Sequence, residues 1–167
     1  MKKILIVYYS WSNGNTERIA KMLQKGIGGD LLKIETEVSY PNDYKTVVEQ
    51  GQKEVNEGYK PKLKETDIDI SDYDVIAIGT PTWWYTMAPS VLTFLTENDF
   101  LHKQVILFMT NGGWPGHVIK DMENVINNAE IISKKEIQFD SNGKDYLETP
   151  LSEVESWIQS VKAKIGE

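Results

Sequence analysis

The sequence contains no cysteine. That absence excludes a disulfide framework, a redox thiol and any cysteine-ligated metal or cluster. Any electron chemistry must therefore sit on a bound organic cofactor. Histidine is nearly as scarce: His102 and His117 are the two present. His102 reads as a surface residue in a turn and His117 as a helix-start residue, and neither supports a metal site. Long hydrophobic runs are missing too. The longest are strand-length, well short of the ~20 residues that span a bilayer. Met1-Lys2-Lys3 looks like the basic tip of an export signal, but Ile4-Leu5-Ile6-Val7 gives way at once to polar residues, too short an apolar region for export. The expected location is cytoplasmic. Positive charge is in deficit, with 18 Lys and Arg against 25 Asp and Glu and a net charge of −7. Nucleic acid, which is bound through a basic face, is thereby an unexpected partner. An acidic surface instead favours steering towards basic partner proteins.

What is present is patterned throughout. The 167 residues show no repeat, low-complexity stretch or linker, so one domain over residues 1–167 is expected. Ile4–Tyr9, Tyr73–Gly79 and Gln104–Thr110 are continuous apolar runs, the mark of strands buried on both faces. Leu31–Val38 and Ile131–Phe139 read as further strands, the last more polar and at an edge. Helical spacing marks Gly14–Gly28, Tyr44–Asn56, Pro89–Thr96, His117–Asn128 and Ser152–Ile165, with Ser152 and Glu155 suited to a capping box. Alternating strands and helices predict an α/β fold: a parallel sheet with helices on both faces. Ligands of such sheets sit outside the carboxyl ends of the strands, where the strand order reverses.

Three loops fall at that end. The first is Ser10-Trp11-Ser12-Asn13-Gly14-Asn15-Thr16, joining a buried strand directly to a helix. A helix start offers unpaired N–H groups and a partial positive charge, and three hydroxyls add donors, so the loop suits a phosphate dianion. It carries no Lys or Arg, and matches neither the Walker A nor the dinucleotide glycine pattern. The second runs Gly79-Thr80-Pro81-Thr82-Trp83-Trp84-Tyr85-Thr86-Met87-Ala88-Pro89. Three successive aromatics cannot all enter one core. In an exposed loop they suggest stacking on a planar ligand, while at least one is expected simply to cover the sheet end. The third is Thr110-Asn111-Gly112-Gly113-Trp114-Pro115-Gly116-His117, in which glycines permit close backbone approach and Trp114 offers another stacking surface. Together the loops describe a planar ring carrying one phosphate. Arg18 reads as a solvated residue, and Asp140-Ser141-Asn142-Gly143 as a turn without assigned chemistry.

These residues resemble those of the flavodoxin-like family, of the short-chain type. The resemblance runs from Lys3 to about Lys164 and is strongest over residues 9–20, 78–95 and 108–117. It implies a three-layer, doubly wound fold with a five-stranded parallel sheet in the order 2-1-3-4-5, and FMN as cofactor. Ser10, Ser12, Asn15, Thr16 and neighbouring amides, with Trp11, Asn13 and Gly14 in the same loop, would hold the FMN phosphate. Pro81, Thr82, Trp83, Trp84, Tyr85, Thr110, Asn111, Gly112, Gly113 and Trp114 would enclose the ring. Two departures stand out. The first loop is one residue longer than the family's Ser/Thr-x-Thr-Gly-x-Thr. The stretch from Pro81 to Pro89 contains no glycine, where many flavodoxins place one that lets a peptide flip towards the one-electron-reduced flavin. Stabilisation of that form is expected to be weaker here, because positive φ costs a non-glycine residue on the order of 1 kcal/mol.

The resemblance implies an electron carrier without a substrate of its own, with acidic residues around the ring lowering its potential. Redox proteins with a basic docking face are the expected partners. Exposed Trp and Tyr side chains could also close a homodimer over the flavin. The alternative on the same scaffold is an FMN-dependent NAD(P)H oxidoreductase acting on a quinone or similar acceptor. A phosphorylatable acidic pocket of the response-regulator kind is excluded by Ser10 and Thr80-Pro81 at the corresponding strand ends.

Overall fold

The computed structural model describes residues 1–11 and 13–166. Among the described residues six strands are formed: β1 (Ile4–Tyr8), β2 (Asp30–Lys33), β3 (Val75–Trp83), β4 (Thr86–Met87), β5 (Gln104–Asn111) and β6 (Glu130–Gln138). Five helices alternate with them: α1 (Asn15–Ile27), α2 (Tyr44–Glu57), α3 (Pro89–Glu97), α4 (Val118–Val125) and α5 (Leu151–Gly166). The five long strands run parallel in the order β2-β1-β3-β5-β6. That is the 2-1-3-4-5 order expected, with one addition. After Trp83 the chain reverses, and β4 pairs antiparallel with the end of β3.

Period-two alternation explains the layers. In β1, Leu5 and Val7 join a cluster with Val91, Leu95, Val118 and Met122 of α3 and α4. Ile6 and Tyr8 point the other way, towards Ile19 and Leu23 of α1 and Val154 and Ile158 of α5. Successive strand residues face opposite sides, so a strand covered on both faces must be apolar throughout. β3 is buried at each position from Val75 to Thr80. β6 lies at the sheet edge and is only intermittently buried, as its polar sequence requires.

Several boundaries differ from expectation. β3 runs on to Trp83 rather than stopping at Gly79, so the first half of the second loop is strand. β2 stops at Lys33 rather than Val38; beyond it the chain keeps only an isolated antiparallel bridge, Thr36 to Leu63. Ser152 does not cap α5, because the helix already begins at Leu151 and Glu153 and Val154 donate to the Pro150 carbonyl. α4 ends at Val125, short of Asn128.

Candidate functional site

The carboxyl ends of β1, β3 and β5 surround a cavity of about 710 Å³. Its position follows from topology. From β1 the chain passes to β2 on one side, and β3 lies on the other, so the connecting segments diverge and leave a crevice between them.

All three loops reach it. Trp11, Asn13, Asn15 and Thr16 line it from the first; Pro81, Thr82, Trp83, Trp84 and Tyr85 from the second; Thr110, Asn111, Gly112 and Trp114 from the third. Four of the five tryptophans are therefore on its walls. Ser10, Gly14 and Gly113 are not, and Ser12 lies outside the described residues. The exceptions have structural work. The Ser10 hydroxyl accepts the Glu17 backbone N–H at 3.4 Å, fixing the start of α1. Gly14 is the α1 N-cap, at φ 72°. Gly113 stands at φ 110°, its N–H held by Asn111 Oδ1 at 2.7 Å.

Among the described residues, Asn13, Asn15, Thr16 and Thr82 all make hydrogen bonds within the protein. Thr16 and Thr110 share a buried hydroxyl hydrogen bond of 2.8 Å, joining the first loop to the third. Thr82 donates to the Thr110 carbonyl at 3.2 Å, joining the second. Asn15 donates to the Lys144 carbonyl at 3.2 Å, and Asn13 to that of Gly143. For an anion this leaves chiefly the N–H groups of the first turn of α1 other than that of Glu17, which Ser10 accepts. Glu17, in that turn, has its carboxyl held below the usual range by the Tyr8 hydroxyl at 2.7 Å, with Lys21 and Lys33 adding to the effect.

The three aromatics of the second loop divide by role. Trp83 packs edge-on against Tyr40 at 4.9 Å and Tyr9 at 5.9 Å, and so covers the sheet end. Trp84 and Tyr85 form the tip of the β3–β4 hairpin, and are 38% and 52% exposed. Both have positive φ, 49° and 68°. The strain that the missing glycine implied is thus already present twice. The surroundings impose it. Trp84 Nε1 donates to the Val48 carbonyl of α2 at 2.8 Å. Tyr85's carbonyl accepts the His117 N–H at 2.8 Å, and Thr86 donates to Asp121. His117 Nδ1 also contacts Asp121. His117 borders a second cavity, of about 380 Å³, rather than the first.

Sequence reading missed two walls. Tyr44, Val47, Val48 and Gly51 of α2 form one; Gly51 clears room for the Trp83 indole, which a Cβ there would meet at 3.2 Å. Asp140 to Lys144, the turn given no chemistry, forms the other. No local signal marks either, since both are brought in by distant contacts. Asp140 is the only acidic side chain among the described lining residues, so the expected acidic surround of the ring is not found.

A doubly wound parallel sheet with a part-polar, part-aromatic cavity at its order reversal defines a ligand-binding α/β protein of the switch-point class. The chain belongs to the flavodoxin family, whose sequence model matches residues 3–154. Flavodoxin is itself a standard instance of the switch-point rule, so the cavity's position illustrates that rule rather than tests it. The Haemophilus influenzae flavodoxin is 31% identical over 109 residues, 63% of this chain and 48% of that protein. An NAD(P)H dehydrogenase (quinone) of Chromohalobacter salexigens is 32% identical over 119 residues, 68% of this chain and 55% of that protein. The chain thus spans about half the length of the curated relatives it matches. A Lactobacillus acidophilus flavoprotein solved in complex with FMN shares the fold, with a TM-score of 0.71 and 24% identity over 94% of this chain and 99% of that one.

Proposed function

We propose that the protein binds FMN non-covalently in the 710 Å³ cavity and serves in electron transfer. The observation that carries this reading is the make-up of the cavity walls, where the start of a helix and side-chain amides occur together with tryptophan and tyrosine. The volume lies within the usual range for small-molecule sites. The residues fit the group. Backbone amides at the start of α1 would meet the phosphate; Trp84, Tyr85, Trp114 and Trp11 offer planar surfaces for the ring. When bound, FMN supplies reversible electron uptake that no side chain of this cysteine-free protein provides. The protein positions it and fixes the polar groups around it.

The membership of the flavodoxin family supports a carrier. The likeness to a quinone-reducing dehydrogenase supports a second reading, an FMN-dependent NAD(P)H oxidoreductase, and the exposed Trp84, Tyr85 and Trp114 leave aromatic surface for a second planar molecule. Titration of the purified chain with FMN tests the cofactor. Saturable uptake, with a perturbed flavin band and quenched flavin fluorescence, is expected; no binding at high micromolar FMN overturns the reading. Sustained NADPH oxidation in the presence of a quinone would replace the carrier with the enzyme.

A further inference from the structure

We propose that Lys144 is a cationic binding residue for the cofactor phosphate, carried on a strap that the first loop itself holds in place. The proposal rests on the FMN reading above.

The strap is the segment Asp140–Tyr146 between β6 and α5. Its ends are closed by the Asp140 N–H donating to the Tyr146 carbonyl at 2.8 Å and by the antiparallel bridge Phe139–Leu147. Three consecutive carbonyls on it are gripped by three side chains of the first loop and α1. Gly143 accepts from Asn13 Nδ2, Lys144 from Asn15 Nδ2 at 3.2 Å, and Asp145 from Arg18 Nη1 at 3.4 Å. Donors and acceptors lie 127 to 130 residues apart in sequence. The backbone of Lys144 is thereby held beside the start of α1.

Charge balance assigns the lysine its part. A phosphate monoester carries a charge of about −1.5 to −2 near neutral pH, and a helix N-terminus supplies only about half a positive charge. The first loop contains no Lys or Arg, and the side-chain amides of Asn13 and Asn15 are engaged on the strap. Arg18 does not line the cavity: its guanidinium lies 5.9 Å from the Phe139 ring centroid and donates to the Asp145 carbonyl. Lys144 is the one cationic side chain among the described residues that do. It is exposed, and it enters no ion pair among the described residues. An ammonium on a flexible stem suits a phosphate as a point charge.

Titrations of the full chain with FMN and with riboflavin test the assignment, because the two ligands differ only in the phosphate. Lys144→Met should weaken FMN roughly tenfold or more, leave riboflavin unchanged, and flatten the salt dependence of FMN binding. Lys144→Arg should retain most of the affinity. Unchanged FMN affinity in Lys144→Met, with wild type binding FMN normally, overturns the proposal. Equal losses for FMN and riboflavin also overturn it, since the lysine would then act through the strap's position. Failure of wild type to take up FMN removes the cofactor reading and this proposal with it.

Discussion

At the scale of single residues, the hairpin tip is the most demanding part of the site. Trp84 and Tyr85 hold a backbone region that glycine favours, and conformations of that kind persist only where neighbours over-determine them. Gly116 is one such neighbour. A Cβ there would sit 2.3 Å from the Tyr85 carbonyl oxygen and 2.5 Å from its Cα, against backbone that cannot rotate aside as a side chain could. Gly116 itself is at φ +57°, so alanine would be strained as well as crowded. Gly116→Ala should destabilise the protein by about 1–3 kcal/mol and weaken FMN uptake, read by urea unfolding and cofactor titration. Gly58→Ala separates the two causes. Gly58 has a similar φ of +62° but nothing within 4 Å, so it should cost only about 1 kcal/mol and leave FMN binding intact.

At the scale of elements, the cavity is assembled by segments that have little local reason to meet. The strap illustrates this. Its sequence reads as an ordinary polar turn, yet Asn13, Asn15 and Arg18 bind it to α1. Removing two of those donors in Asn13→Ala/Asn15→Ala should leave the sheet and helices intact while releasing the strap. Trypsin cleavage after Lys144 should then accelerate by roughly tenfold, the effect of losing one to two net hydrogen bonds in the local opening equilibrium. Mass spectrometry of the early fragments would identify the site. An unchanged rate would show that Arg18 and the closures at Asp140–Tyr146 and Phe139–Leu147 suffice to hold the segment.

At the scale of the whole molecule, burial of tyrosine beside carboxylates sets a limit on alkaline stability. Tyr9 and Tyr40 are both pushed well above the ordinary phenol value of 10, first by burial and then by the Glu54 carboxylate, to which Tyr40 also donates at 2.7 Å. Tyr8 is raised similarly by burial and by Glu17, and Tyr73 to about 12 by its hydrogen bond to Asp30. The native state therefore keeps these protons while the unfolded chain releases them. Stability is unaffected below about pH 10 and falls as the pH rises above it. The tyrosinate absorbance of these four, half of the eight tyrosines, should appear only as circular dichroism reports unfolding in an alkaline titration. If all eight ionised around pH 10 with the fold intact, the protection of the four would be disproved. The net charge of −7 leads to a separate expectation for the proposed redox partners: association with a basic partner should slow as salt is added.

What the sequence determined by itself was whatever depends on near neighbours. Continuous apolar runs identified the buried strands, helical spacing the layers, and the strand-to-helix joint at Asn15 the anion-suited end. The three loops were legible because each directly follows a strand whose direction the alternating pattern already implied. Tertiary structure alone decided how their side chains are used. Ser10, Asn13, Asn15 and Thr16 look in sequence like a row of free donors; in the fold Asn13 and Asn15 donate to the strap, Thr16 shares a hydroxyl hydrogen bond with Thr110, and Ser10 serves as an acceptor for Glu17. Trp83 and Trp84 are adjacent and identical, yet one packs over the sheet end and the other stands at the hairpin tip, bonded to α2. The α2 wall and Lys144 carry no local mark. They reach the cavity through contacts between residues far apart in the chain, and periodicity holds no information about such contacts because it is set by backbone geometry within a few residues.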